Sequence, residues 1–178
     1  TLVLFTSHSQ LRITYEAIAE YLAEQGILVL AQGIDSASRD ALLQTFRTRQ
    51  PAVLLGTNSF WEGVDVVGET LSCVIIPRLP FSVPTDPIFQ ARSELFEQPF
   101  RQYAVPQAIL RFRQGFGRLI RSQRDRGALV ILDRRVLSKS YGGIFLKSLP
   151  DAKLDTGSGR RVAEAIEQWL SGAPSVSA

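Results

Sequence analysis

An α/β domain with a mostly parallel sheet flanked by helices is the fold class that this sequence predicts. Two patterns predict it. Short apolar runs alternate with stretches whose apolar residues recur at helical spacing. The polar stretches after the first, third and fifth runs begin with Thr6, Thr57 and Asp133. In a parallel sheet these would all emerge on one edge, beyond the carboxyl ends of the strands, where such sheets bind ligands.

The elements follow in order. Leu2-Val3-Leu4-Phe5 reads as a buried first strand that stops at the polar loop Thr6-Ser7-His8-Ser9, rich in N-cap candidates. Leu11, Tyr15, Ile18, Ala19 and Leu22 share one helical face, and Gly26 closes that helix. Ile27 to Leu30 is the second strand, with Gln32 to Ser36 as a loop and a second helix over Ala37 to Arg49. Val53 to Gly56 is the third strand and Leu71 to Ile76 the fourth. The proline-rich run Pro77 to Pro87 excludes regular structure, because proline fixes φ and removes a donor. A helix is expected over Ile88 to Tyr103, a break at Val105-Pro106, and another helix over Gln107 to Ser122. Gly127 to Leu132 is the fifth strand, Tyr141 to Leu149 a short element, and Arg160 to Leu170 a last amphipathic helix before a frayed end. The expected division is a domain over 1–150, with 77–106 inserted as loop and helix, and an appendage over 151–178.

Composition narrows the function. An apolar share of 45% over 178 residues suits one domain with a real core. No stretch approaches the roughly 18–20 apolar residues of a membrane span, so no membrane partner is expected. The chain opens in mid-strand without a methionine and reads as a piece of something longer. The single Cys73 lies in an apolar run, which excludes an internal disulfide and fits a reducing, cytoplasmic setting. With one cysteine and one histidine, this chain alone builds no zinc or iron–sulfur site. Net charge is only +3, yet eight arginines fall between Arg111 and Arg135 against Asp125 and Asp133. Such local basicity points to phosphate or nucleic acid.

Two stretches could carry chemistry. In Gln114-Gly115-Phe116-Gly117-Arg118-Leu119-Ile120-Arg121, a helix would put Arg118 and Arg121 on one face. The glycines let another surface come close. Planar cations so placed stabilise charge spreading over a phosphoryl group; the alternative is a solvated basic helix. The second stretch, Gly56 to Asp65, offers Thr57 and Ser59 hydroxyls and backbone N–H groups to a phosphate. Gly63 permits a tight bend between Glu62 and Asp65. Either carboxylate could accept from a ribose hydroxyl or orient an arginine, or Asp65 could simply cap a helix. No Walker A sequence and no Asp-Glu-x-His occur.

These residues carry a resemblance. Gln114-x-x-Gly117-Arg118-x-x-Arg121 is similar to motif VI of superfamily 2 helicases, Gly56 to Asp65 to motif V, and Leu4 to His8 to motif IV. Phe60 to Asp65, Leu79-Pro80-Phe81, Pro84-x-Asp86-Pro87 and Leu132-Asp133-x-Arg135 resemble the DinG branch of the XPD-like helicases. The likeness runs in order from about Leu2 to Leu149.

The resemblance implies a RecA-like three-layer fold: the second, C-terminal motor domain of an ATP-dependent DNA helicase that tracks 5′ to 3′. ATP and magnesium would be shared with a first motor domain of the same protein. That domain would also hold any iron–sulfur cluster, and this chain alone should not hydrolyse ATP. Arg118 and Arg121 would be arginine fingers, with Gln114 coupling nucleotide state to the domain interface. Asp65, supported by Glu62 and Gly63, would serve the nucleotide. Thr6, Ser7, His8, Thr57, Asn58 and Arg78 would meet single-stranded DNA, and Asp133 with Arg135 would form a bracing ion pair. Trp61 and Trp169 are candidates for base stacking or for core packing. The rival readings are a non-enzymatic basic nucleic-acid-binding module, a complete small nucleotide-binding enzyme, and a nuclease-linked or RNA-directed relative.

Overall fold

The computed structural model describes residues 1–36, 38–61, 71–120, 126–150 and 152–172. Five strands form one sheet: β1 (Leu2–Leu4), β2 (Leu28–Ala31), β3 (Ala52–Gly56), β4 (Cys73–Ile76) and β5 (Ala128–Ile131). Their spatial order is β2-β3-β1-β4-β5, and every pairing is parallel. All five carboxyl ends therefore share one edge, as the sequence predicts.

Alternation along the strands divides the core between two faces. Val3, Phe5, Val29, Ala31 and Leu55 face α1 (His8–Glu24) and pack with Leu11, Tyr15, Ala19 and Leu22. Leu2, Leu4, Leu30, Leu54, Val74 and Ile76 face the other way. There they meet Leu42, Leu43 and Phe46 of α2 (Arg39–Thr48) and Phe60 and Trp61 of α3 (Asn58–Trp61). They also meet Phe112 of α5 (Val105–Phe116) and Phe145 of α7 (Gly142–Lys147). The result is three layers, helix on sheet on helix.

Local signals explain the helix ends. Ser7 caps α1 by accepting from the Gln10 N–H, and Gly26 leaves it with φ +72°. Ser38 caps α2, whose Asp40 and Arg47 each lie at the end that suits the helix dipole. Asp86 caps α4 (Pro87–Ser93) through the Phe89 N–H at 2.8 Å, with Pro87 in the first turn.

Three helical expectations change. The helix expected over 88–103 stops at Ser93, and Pro99, which can neither donate nor sit in a helix interior, keeps the same helix from running on to Tyr103. The break expected at Val105-Pro106 does not occur. A wider π turn over Phe100–Ala104 runs straight into α5, whose first turn accommodates Pro106. The helix expected over 107–122 ends at Phe116. Gly117 is a poor helix residue, and a tight turn follows in which the Leu119 N–H meets the Phe116 carbonyl at 2.8 Å. Arg118 therefore leaves the helix, and the shared helical face expected for Arg118 and Arg121 is not formed by the described residues.

Rings join the proline-rich loop and α5 to the segment after β5. Phe81 stacks on Phe100 at 5.8 Å and meets Tyr141 edge-on at 5.5 Å, while Phe112 meets Phe145 at 5.4 Å. Two short helices, α6 (Arg135–Ser138) and α7, follow β5, and α8 (Gly159–Ser171) closes the described chain. Val162 and Ile166 of α8 are half-buried, whereas Trp169 and Leu170 are exposed. Trp169 instead donates to the Gly127 carbonyl at 3.1 Å and carries Arg126 over its ring at 4.5 Å. The frayed end expected after Gly172 lies outside the described residues. No described helix is long and apolar enough to cross a membrane.

Candidate nucleotide and nucleic-acid interface

The strand order sets the order of groups along the carboxyl edge. Gln32 follows β2, Thr57 follows β3, Phe5 to His8 follow β1, Arg78 lies just past β4, and Asp133 just past β5. Thr57 and Arg78 thus flank the β1 loop across two strand spacings, roughly 10 Å.

At the β3 end the candidates converge. Thr57 is only 2% exposed, and its hydroxyl lies 3.1 Å from His8 Nε2. The Thr57 N–H and Oγ both donate to Gln32 Oε1 at 2.9 Å. Gln32 Nε2 in turn donates to the Ser59 Oγ at 2.9 Å, and Arg39 reaches the Ser59 carbonyl at 3.4 Å. The hydroxyl proton of Thr57 goes to Gln32, so toward His8 that oxygen accepts and Nε2 carries the proton. Ser7, besides capping α1, shares a hydrogen bond with Ser9 at 2.7 Å. Thr6 is half-buried, and His8 and Asn58 are exposed.

A second junction ties α5 to this edge. Gly115 is buried, and a Cβ there would stand 3.0 Å from Leu4 Cδ1 and 3.1 Å from Trp61 Cζ3. Only a bare backbone lets α5 lie so close to β1 and α3. Trp61 is buried and gives its Nε1 proton to the Phe5 carbonyl at 2.9 Å, so it belongs to the core. Arg118 is buried too, and its guanidinium donates to the Trp61 carbonyl. Gln114 is exposed in the last turn of α5. Arg121, Glu62, Gly63 and Asp65 lie outside the described residues.

The third group sits past β4 and β5. Asp133 and Arg135 form the expected ion pair at 2.6 Å, and Asp133 also accepts from the Leu79 N–H at 2.9 Å. Burial pushes the Asp133 carboxyl up, but the hydrogen bonds from Arg135 and Leu79 outweigh it and lower the pKa from 3.8 to about 2. Arg135 also stands over the Phe81 ring at 5.4 Å, and Arg111 donates to the Ser82 Oγ at 3.0 Å. These contacts fix the proline-rich loop and leave Arg78 and Arg134 exposed beside Asp133, lining a polar depression of about 350 Å³.

Of the residues expected at the site, the structure joins His8 to Thr57 directly and Arg118 to the Trp61 end of α3. Arg78 stands apart, on the far side of β1. Sequence reading missed Gln32, taken only as loop. Its signal was positional: it follows a strand directly, as Thr57 does, and β2 lies beside β3.

Comparison with known proteins agrees with this architecture. The helicase C-terminal domain family matches residues 1–152. A 3'-5' exonuclease DinG of Bacillus subtilis is 47% identical over 153 residues, covering 84% of this chain and 16% of that protein. An ATP-dependent DNA helicase YoaA of Escherichia coli is 46% identical over 154 residues, covering 84% of this chain and 23% of that protein. The chain thus spans less than a quarter of either relative. An XPD helicase structure superposes with a TM-score of 0.63 at 22% identity, over 87% of this chain and 28% of that one. The C-terminal domain of yeast Dbp5 superposes with a TM-score of 0.51 at 16% identity, over 96% of this chain and 82% of that one. These two show the fold alone. Parallel sheet, ordered motifs and family match lead to one conclusion: the chain belongs to the helicase C-terminal domain family.

Proposed function

We propose that this chain is the second motor domain of an ATP-dependent DNA helicase. The observation that carries the reading is the junction of Arg118 with the Trp61 carbonyl. It links the arginine-bearing end of α5 to the turn that leaves β3, so a change felt at one is passed to the other. On this reading Gln114, Arg118 and Arg121 face ATP bound on the first motor domain, which supplies the phosphate loop and magnesium. The donor set suits a polyphosphate: guanidinium groups match its oxygens in pairs. Asp65, with Glu62 and Gly63, serves the nucleotide sugar or holds an arginine. The strand-edge groups Thr6, Ser7, His8, Thr57 and Asn58, with Arg78 beyond β1, grip phosphates of single-stranded DNA. ATP favours closure because the contacts to its phosphates form only when the two domains meet. Loss of that contact after hydrolysis opens the cleft, and alternate gripping moves the motor 5′ to 3′. The exonuclease and helicase names of the relatives belong to whole proteins far longer than this segment, and the segment itself suits the role that the helicase name carries.

The test is single-strand-stimulated ATP turnover by the full-length protein, wild type against Arg121→Ala and Arg118→Ala. A fall of about 10² or more with ATP binding kept is expected for groups acting on the transition state. Near-normal turnover in both variants would put a non-enzymatic basic binding module in the motor's place.

A further inference from the structure

Thr57 is the most buried polar residue of the strand edge, and its two donors converge on a single oxygen, Gln32 Oε1. Two N–H and O–H groups aimed at one acceptor is what a phosphate oxygen requires. We propose that Gln32 is a latch on this contact. Its carboxamide oxygen occupies the position of a phosphodiester oxygen of single-stranded nucleic acid, and binding exchanges one acceptor for the other. The proposal rests on the motor-domain reading of this edge and adds to it the residue that sets how tightly the edge grips.

Opening the latch breaks the two Thr57 contacts and the bond from Gln32 Nε2 to the Ser59 Oγ, and the surroundings leave room for it. The Gln32 backbone is held, because its N–H donates to the Leu55 carbonyl at 3.0 Å. Its side chain is only half-buried and borders a cavity of about 230 Å³ that His8, Ser9, Arg12 and Gly33 also line. That cavity gives the carboxamide room to turn and brings two basic side chains to an arriving phosphate. An ionised oxygen is the stronger acceptor, so the donors of Thr57 gain by the exchange. Without a phosphate they would lose a partner in a buried place, so the latch stays shut. Apparent affinity is then reduced by the fraction of molecules in which the latch is open.

The experiment measures binding of the full-length protein to a fluorescent oligothymidylate at fixed salt, with melting temperature recorded for every variant. Gln32→Ala should tighten binding roughly 3- to 10-fold, because the closed state is lost. Gln32→Glu should weaken it by a similar factor, since a carboxylate holds both Thr57 donors more firmly and repels phosphate. The gain from Gln32→Ala should vanish on a Thr57→Val background. It should leave the salt slope unchanged, because Thr57 is neutral and releases no counterion. If Gln32→Ala melts early, Gln32→Leu, which refills the volume without an acceptor, must tighten binding instead. Weaker binding by Gln32→Ala or Gln32→Leu at normal melting temperature overturns the latch, since Gln32 would then be building the grip. Unchanged binding in the Gln32 variants together with Thr57→Val and Ser7→Ala overturns more: the strand edge would not touch nucleic acid at all.

Discussion

Asp133 shows how one side chain can organise a loop. Its side chain is 8% exposed, while that of Arg135 is 40% exposed. A fall in pKa from 3.8 to about 2 corresponds to nearly two factors of ten, each worth about 1.4 kcal/mol. The partner's exposure screens part of this, which leaves about 1–2 kcal/mol. The sign follows from the direction. A carboxyl depressed by folding stabilises fully above its unfolded pKa, and that contribution fades as pH falls through the folded value. Asp133→Asn should therefore cost about 1–2 kcal/mol in urea denaturation at pH 7. The gap should shrink to about half near pH 3. A gap that stays constant with pH would mean that hydrogen-bond geometry at Leu79, not charge, holds this loop.

Element boundaries show what the sequence made legible. Alternation of Leu2 and Leu4 against Val3 and Phe5 announced a strand buried on both faces, and the structure divides these residues between its two cores. The cap at Ser7 was legible among the polar residues after β1, since its physics is local; the cap at Asp86 went unread inside the proline-rich run. The end of α5 was not. Arginines at helical spacing said helix, but Gly115 is selected by what lies across from it, Leu4 and Trp61, which no periodicity reveals. The burial of Thr57 beneath Gln32 was hidden likewise, because it depends on β2 lying next to β3. A substitution tests the α5 contact. Gly115→Ala gains about 1 kcal/mol of helix propensity but must push Leu4 and Trp61 aside by a few tenths of an ångström, so it should be close to neutral. Gly115→Val adds bulk that the site cannot absorb and should cost about 2–3 kcal/mol. In a Trp169→Phe background, where Trp61 is the remaining tryptophan, Gly115→Val should also shift emission to the red. Unchanged emission with full stability would show that α5 can move off the sheet at no cost.

Across the whole molecule, charge and packing fall in different places. The edge beyond the strand ends carries His8, Arg78 and Arg134, while the far end of the chain contributes α8, outside the family-matched region of 1–152. No residue of α8 is fully buried. Its ties to the sheet include the Trp169 hydrogen bond to Gly127 and the Arg126 guanidinium over the same ring. An exposed cation–π contact contributes about 0.5–1 kcal/mol, and a neutral hydrogen bond about as much. The half-buried Val162 and Ile166 add a little more. By these magnitudes α8 is expected to behave as an appendage and not as part of the folding core. Deleting the chain from Lys153 onward should preserve a single cooperative unfolding transition. The midpoint should fall by only a few degrees, at roughly 2–4 °C per kcal/mol for a chain of this size. Trp169→Ala alone should reproduce most of that fall. Loss of cooperative unfolding on deletion would place α8 inside the core instead, and the domain would then extend past the family match to Ser171.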